Sequence, residues 1–335
     1  MRSSFLLESD VTFISRVFRE GLKPREVVDV VDWCCQHVRM PYSARQERFS
    51  TKIARYIEEP LRYAAGNQVL HGHRVKETTV LGAVQSAKSS MQEALACFAI
   101  SEDPGPLMWN FQTNEDAKEA AESRIQKLFS ATRPVRERLP GHGRQRTTAI
   151  NFDDLYLIIQ GAETRSNLQS KSIRWQINDE VWLWPDGNHA EAKKRVTAFW
   201  NSSILNVSTG SIKGSEIDAA FLEADQREWM FKCPSCETFQ KYHIKRKGDA
   251  GGLTWDDNEL THSGGEWNKL EVAKTVRYEC DCCDHVFYDT PRTRREMNLS
   301  SRYFAQNPNP LPGKVSFHYN ALAVEWVPWA DIVLE

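Results

Sequence analysis

Lys88 and Ser89 end the run Gly82-Ala83-Val84-Gln85-Ser86-Ala87-Lys88-Ser89, which has the layout G-x-x-x-x-G-K-[ST] of a phosphate-binding loop with Ala87 at the second glycine position. Such a loop turns successive backbone N–H groups, backed by a helix N-terminus, toward the phosphates of a nucleotide. Gly82, Gln85, Ser86, Ala87 and Ser90 are the expected cradle for ATP. Lys88 would neutralise charge on the β- and γ-phosphates, and the Ser89 hydroxyl would ligate Mg²⁺. The elements that must position these groups are present by pattern. Glu77-Thr78-Thr79-Val80-Leu81 reads as a short buried strand, and Ser90 to Ile100 carries apolar residues at helical spacing. The Ala87 methyl is expected to crowd a loop that phosphate oxygens must approach. The same run also fits a plain strand-turn-helix with an exposed lysine.

Asp179-Glu180 answers the loop downstream. It follows Ile173 to Asn178, a segment readable as a strand with apolar side chains at alternate positions. Carboxylates at the C-terminal end of a strand are where an α/β sheet places reacting groups. Asp179 would then hold Mg²⁺ through water and Glu180 would polarise the attacking water. The pair also fits an N-cap that opens a surface turn. A third strand, Ile204 to Val207, ends in Ser208-Thr209-Gly210.

Four of the eight cysteines form the pairs Cys233-Pro234-Ser235-Cys236 and Cys280-Asp281-Cys282-Cys283. Two C-x-x-C knuckles make a tetrahedral structural Zn²⁺ site, with Cys233, Cys236, Cys280 and Cys283 as ligands. Cys282 competes for a place in that set, and reduced, unligated thiols are the other reading. The interval between the pairs contains Gly251-Gly252 and Gly264-Gly265, which suggests hairpins or an inserted loop. Cys34, Cys35 and Cys97 lie in apolar helical stretches and read as core residues.

With 335 residues, 41% hydrophobic and 26% charged, the chain has room for one large core or two domains. No apolar run is long enough to span a bilayer, and the first residues do not make a signal peptide, so a cytoplasmic protein is expected. The formal net charge is -2, which leaves nucleic-acid contact to local patches. Candidates are Arg133, Arg136, Arg138, Arg144 and Arg146; Lys241, Lys245, Arg246 and Lys247; and Arg292, Arg294 and Arg295. Each also fits an ordinary solvated face. Val11 to Tyr63 shows helical periodicity through Phe13, Val17, Val28, Val31, Trp33 and Ile53, and is expected beside the nucleotide cleft. Ala117 to Leu128 reads as an amphipathic helix, and Leu155 to Gln160 as a strand. Trp182 and Trp184 are expected to pack a core edge. Tyr42 is a candidate to stack on adenine, with a core or hinge tyrosine as the other reading.

Taken together these residues resemble the large terminase subunit of tailed bacteriophages, in its lambda-like branch. Met40-Pro41-Tyr42 falls where that family has its adenine-binding Pro-Tyr segment. Gln112 to Lys118 is similar to its P-T-x-x-x-A-K stretch, with Gln112 for proline, and Gly161 to Leu168 to its G-A-N-S-x-x-x-L loop. Asp179-Glu180 matches its acidic pair, Ser208-Thr209-Gly210 its coupling S-T-P, and Phe221 to Cys236 with the second cysteine pair its zinc-bearing region.

The resemblance implies an α/β P-loop NTPase of the additional-strand, catalytic-Glu type, with a mostly parallel sheet and an inserted zinc-ribbon-like subdomain. It implies an ATP-driven motor, working as a homo-oligomeric ring on double-stranded DNA with a terminase small subunit and a portal protein, in the cytoplasm of an infected bacterial host. Ser208 and Thr209 would couple loss of the γ-phosphate to movement. Arg124 and Arg165 are candidate arginine fingers, compensating for Gln85 where some relatives place an arginine. The implied division is a helical segment over 1–65, the ATPase core over 66–212, a lid and Cys₄ region over 213–300, and the end of the motor domain over 301–335. The family's C-terminal nuclease domain is not expected within this chain. A helicase-like ATPase, or a non-catalytic DNA-binding or assembly protein with a decayed nucleotide site, are the alternatives.

Overall fold

A computed structural model of the chain describes residues 28–43, 47–141, 145–169, 171–210 and 212–335. Phe13, Val17 and Arg144 lie outside these residues. The strands used below are β1 (Glu77–Gly82), β2 (Leu107–Phe111), β3 (Gln145–Arg146), β4 (Ala149–Asn151), β5 (Tyr156–Gly161), β6 (Trp175–Asn178), β7 (Ser203–Ser208), β8 (Arg227–Lys232), β9 (Phe239–Lys241), β10 (Gly252–Thr254), β11 (Arg277–Glu279), β12 (Val286–Tyr288), β13 (Arg302–Ala305) and β14 (Lys314–Tyr319). The helices are α1 (Val30–His37), α2 (Glu58–Ala64), α3 (Lys88–Ser101), α4 (Asn114–Ala120) and α5 (Gln126–Ala131).

An eleven-stranded sheet runs in the order β3-β4-β5-β2-β6-β7-β1-β14-β8-β9, with β13 also paired to β8. Every neighbouring pair from β5 through β8 is parallel. Strands β1, β2, β6 and β7 are buried along their whole length, as parallel strands covered on both faces must be. That burial selects apolar and β-branched residues such as Val80, Leu107, Ile177 and Val207, between which polar side chains also lie. Helix α3 packs against α1, where Trp33 meets Phe98 edge-on at 5.6 Å.

The middle of this sheet is polar on one row. Gln160 donates to Asn110 at 3.1 Å, Asn110 to Asn178 at 2.9 Å, Asn178 to Asn206 at 2.7 Å, and Asn206 to Glu77 at 3.0 Å. This head-to-tail amide ladder crosses β5, β2, β6, β7 and β1. Each member has a partner, which is what allows five polar side chains to sit in a dry core. Lys193 lies 2.8 Å from the Glu77 carboxylate that ends the ladder. Burial opposes the Glu77 charge, but Lys193 and His189 outweigh it and hold the carboxyl below its ordinary range.

Three features depart from the sequence reading. Strand β2 is unanticipated, because Leu107–Phe111 is short and apolar without periodicity. The helix read over Ala117 to Leu128 is broken by a π-helical turn, Ala121–Ile125, between α4 and α5. The division at residue 212 does not separate the main sheet, since β14 pairs with β1 in register from Lys314↔Glu77 to Tyr319↔Gly82. The Gly264–Gly265 pair does form a tight hairpin, with φ of +62° and +83° between His262–Ser263 and Glu266–Trp267.

Candidate active site

The loop from Ala83 to Ala87 joins β1 to α3, so Lys88 is the first residue of the helix. Gly82 is needed by packing rather than by its own torsion: a Cβ there would lie 2.5 Å from the Tyr319 ring. Tyr319 comes from β14, stacks on Tyr56 with centroids 4.2 Å apart, and brings its hydroxyl within 3.4 Å of the Ser86 hydroxyl. Ser86 in turn donates to the Ala83 carbonyl at 2.5 Å. Ala87 takes the left-handed conformation at φ +65°, which is the backbone position a glycine usually fills. Gln85 is left-handed as well, at φ +53°.

Strand β7 lies between β1 and β6, and this order decides the geometry of the site. It brings the end of β7 between the phosphate loop and the acidic pair. Lys88 Nζ donates to Thr209 Oγ1 at 2.7 Å and to the carbonyls of Gly82 and Ala83 at 3.0 and 2.9 Å. Thr209 donates its hydroxyl to Glu180 Oε1 at 2.5 Å and its backbone N–H to Oε2 at 2.8 Å. Lys88 Nζ itself lies 3.5 Å from Glu180 Oε1. Burial pulls the Lys88 ammonium below its ordinary pKa, against the opposing pull of Glu180.

Glu180 is held in a left-handed conformation, φ +45°, that a non-glycine residue rarely adopts. Trp182 donates its indole N–H to Glu180 Oε2 at 3.0 Å, so this tryptophan serves the acidic pair and is partly exposed. Trp184 is buried, as the sequence suggested, and donates to the Asp179 carbonyl at 2.9 Å. Gln92, one turn along α3 from Ser89, donates to Asp179 Oδ1 at 2.6 Å and accepts from Trp109 at 3.2 Å. Burial pushes the Asp179 carboxyl above its ordinary pKa, and the Gln92 hydrogen bond resists that push.

Two clefts meet at Glu180. One, of about 440 Å³, is lined by the phosphate loop from Val84 to Ser90, by Thr209, and by Ser43, Ile53, Ala54 and Trp326. Ile53 and Trp326 both line this cleft, and Trp326 has no signal in the sequence. The other, of about 410 Å³, is lined by Gln112, Asp116, Glu119, Arg124, Asp179 and Glu180 among others. Ser208 turns away from both and donates to the Gly210 carbonyl at 2.8 Å. Tyr42 donates its hydroxyl to Glu93 on α3 at 2.7 Å. Arg165 is exposed and pairs with Glu191 at 3.2 Å.

The model for the ATPase domain of the phage terminase large subunit gpA matches residues 43–300. The chain belongs to this terminase family. Similar solved structures include the HK97 bacteriophage large terminase, at 10% identity and a TM-score of 0.44 over 58% of this chain. The Thermus phage P74-26 large terminase ATPase domain follows at 17% identity and 0.35 over 45%, and the large terminase of another thermophilic bacteriophage, in complex with ADP, at 14% and 0.34 over 47%. The terminase chain spans 40%, 65% and 38% of those three chains respectively. No curated protein matches it.

The other family-like segments of this terminase chain also meet. Asn114, in the 112–118 stretch, accepts from the Gly161 N–H and from Asn167, both at 3.0 Å, and donates to Glu163 at 2.7 Å. A Cβ on Gly161 would fall 2.2 Å from the Asn114 nitrogen, which accounts for that glycine. The cysteine cluster has a similar economy of parts. Cys233, Cys236, Cys280 and Cys283 place their sulfurs within 4.8 Å of one another, while Cys282 is exposed and outside the group. The Cys233–Cys283 and Cys236–Cys280 separations are 3.8 and 3.7 Å. These are too long for disulfides and equal the ~3.8 Å edge of a tetrahedron with thiolates about 2.3 Å from Zn²⁺. One knuckle joins β8 to β9, and the other joins β11 to β12 of the small sheet β10-β11-β12.

The basic patches are partly neutralised. Arg133 pairs with Glu137, Arg138 with Asp154, Lys245 with Glu279 and Arg292 with Glu296, while Arg294 is buried on Asp289. No helix among the described residues is long and apolar enough to cross a membrane.

Proposed function

We propose that this chain is the ATPase motor of viral DNA packaging, coupling ATP hydrolysis to translocation of double-stranded DNA into a procapsid. The observation that carries the reading is the Lys88–Thr209–Glu180 chain, assembled from the ends of three adjacent parallel strands. The strand inserted between β1 and β6 supports the additional-strand, catalytic-Glu class of P-loop NTPase. Lys88 holds the γ-phosphate, and Glu180 accepts a proton from the attacking water. Ser89 at the loop and Asp179 at the end of β6 carry hard oxygen donors that fit Mg²⁺, and Gln92 orients the Asp179 carboxylate. The ion supplies charge neutralisation on the phosphates.

The four clustered thiolates fit a structural Zn²⁺, which gives the 213–300 region its zinc-ribbon character and clamps the β8–β9 hairpin to the small sheet. DNA is the polyanionic partner, met by the basic patches on one face of a homo-oligomeric ring. A terminase small subunit and a portal are the protein partners, in the cytoplasm of an infected bacterial cell. Steady-state ATP hydrolysis, with and without linear double-stranded DNA and beside Lys88→Ala, tests the reading. Turnover that vanishes in the variant and rises with DNA supports a motor; turnover indifferent to Lys88 overturns it.

A further inference from the structure

We propose that Glu93 and Tyr42 are positioning residues that hold Arg124 in the hydrolysis cleft of its own subunit. The inference rests on the ATPase reading above and goes further, because it names which subunit supplies the arginine and what aims it.

Arg124 sits in the π-helical turn between the buried residues Ala121 and Ile125, and its own side chain is 33% exposed. A guanidinium partly withdrawn from water is stabilised by a carboxyl group beside it. Glu93 supplies that group. It is 2% exposed, and its carboxylate lies 3.4 Å from Arg124 Nη1.

The second oxygen of Glu93 accepts the Tyr42 hydroxyl at 2.7 Å. The other oxygen, Oε1, is buried without a hydrogen bond among the described residues and faces Arg124 only as an ion pair. Arg124 belongs to the π-helical turn, a distortion that recurs at functional sites. It lines the cleft that also holds Asp179 and Glu180. A guanidinium carries five N–H donors, so one edge can rest on Glu93 while the rest face the cleft.

Helix α3 ties the two carboxylate systems together. Ser89, Gln92 and Glu93 follow at the i, i+3 and i+4 spacing of a single helix face. Gln92 orients Asp179, and the next residue, Glu93, orients Arg124. Arg124 lines the second cleft, which meets the cleft of Lys88 and Ser89 at Glu180, and its anchor sits one turn down the same helix from Ser89. The long 3.4 Å contact leaves the guanidinium room to advance toward developing charge.

The test has three arms. First, Arg124→Ala should lower kcat on the order of a hundredfold or more with KM little changed, and Glu93→Gln about tenfold. The double variant should be no slower than Arg124→Ala alone, because Glu93 acts only through Arg124. Losses that multiply overturn the proposal. Second, Arg124→Ala is mixed with Lys88→Ala, which has a dead site but an intact arginine. An arginine acting within its own subunit predicts no recovered turnover, and recovery on mixing assigns the arginine to the neighbour instead. Third, a thermal-stability cycle over Glu93→Gln and Arg124→Gln should be non-additive. Additive losses in melting temperature break the contact itself, whether or not the chain hydrolyses ATP. Absence of turnover in the unaltered protein counts against the motor reading alone.

Discussion

Thr209 grips Glu180 by both carboxylate oxygens, through its hydroxyl at 2.5 Å and its backbone N–H at 2.8 Å. The same hydroxyl accepts from Lys88 at 2.7 Å. A lysine that turns to a γ-phosphate must give up that hydrogen bond, which loosens the threonine and with it the glutamate. On the proposed function, the end of β7 would be where occupancy of the phosphate site is converted into a change at Glu180.

Thr209→Val keeps the shape and the N–H contact but removes the hydroxyl. We expect ATP affinity within about threefold of the parent, with a loss of roughly 1–2 kcal/mol in the coupling between DNA and hydrolysis, or about tenfold in DNA stimulation. Undiminished stimulation in this variant would take the Thr209 hydroxyl out of the coupling step.

Ala87 stands at φ +65°, where an L-residue costs about 1–2 kcal/mol. Glycine would remove that cost but add about 0.4–1 kcal/mol of unfolded-chain entropy. The balance favours the substitution by about 0.5–1 kcal/mol, so Ala87→Gly should melt about 1–3 °C higher and bind ADP at least as tightly. A lower melting temperature would mean that the methyl group contributes packing the loop depends on.

Burial pushes the Glu93 carboxyl from its ordinary 4.5 up to about 7, against Arg124 and the Tyr42 hydrogen bond, with Asp179 adding to the rise. Between those two values the folded chain holds a proton that the unfolded chain has released. Stability from this group is therefore present at low pH and lost as pH rises toward about 7. Melting temperatures measured from about pH 5 to about pH 8 should fall less steeply in Glu93→Gln than in the parent. Parallel curves would show that Glu93 does not titrate in that window.

Stripping metal with a chelator should unfold the Cys₄ region first, because a closed thiolate site contributes folding free energy and no chemistry. Metal analysis of Cys233→Ser should find less zinc per chain than in the parent, whereas Cys282→Ser should retain all of it. Equal zinc in the Cys233→Ser protein would move the site elsewhere.

Much of this arrangement is legible in the sequence because it is local. The phosphate loop, the acidic pair and the cysteine knuckles each lie within eight consecutive residues, and strand-end placement follows from short apolar runs. What escapes is what the fold brings together over distance. Tyr319 against Gly82, Trp326 beside the loop, and Glu93 between Tyr42 and Arg124 depend on strand order and helix facing, which no single segment encodes. Trp182 reads as core packing in the sequence because an indole has both an apolar body and a donor, and only its neighbour decides which one matters. Even so, the buried amides have a visible signature: Asn110, Gln160, Asn178 and Asn206 each interrupt an otherwise apolar strand.

The pairing of β14 with β1 also sets a timetable for the newborn chain. On a ribosome, the strand that carries the phosphate loop emerges early, yet its flanking strands β7 and β14 arrive long after it. Until Tyr319 has been made, Gly82 lacks the ring that closes over it, and one edge of β1 is bare. Contacts this far apart in sequence form slowly and leave an unpaired hydrophobic edge in the meantime. The nucleotide site is therefore completed only once Tyr319, far along the chain from Gly82, has been made.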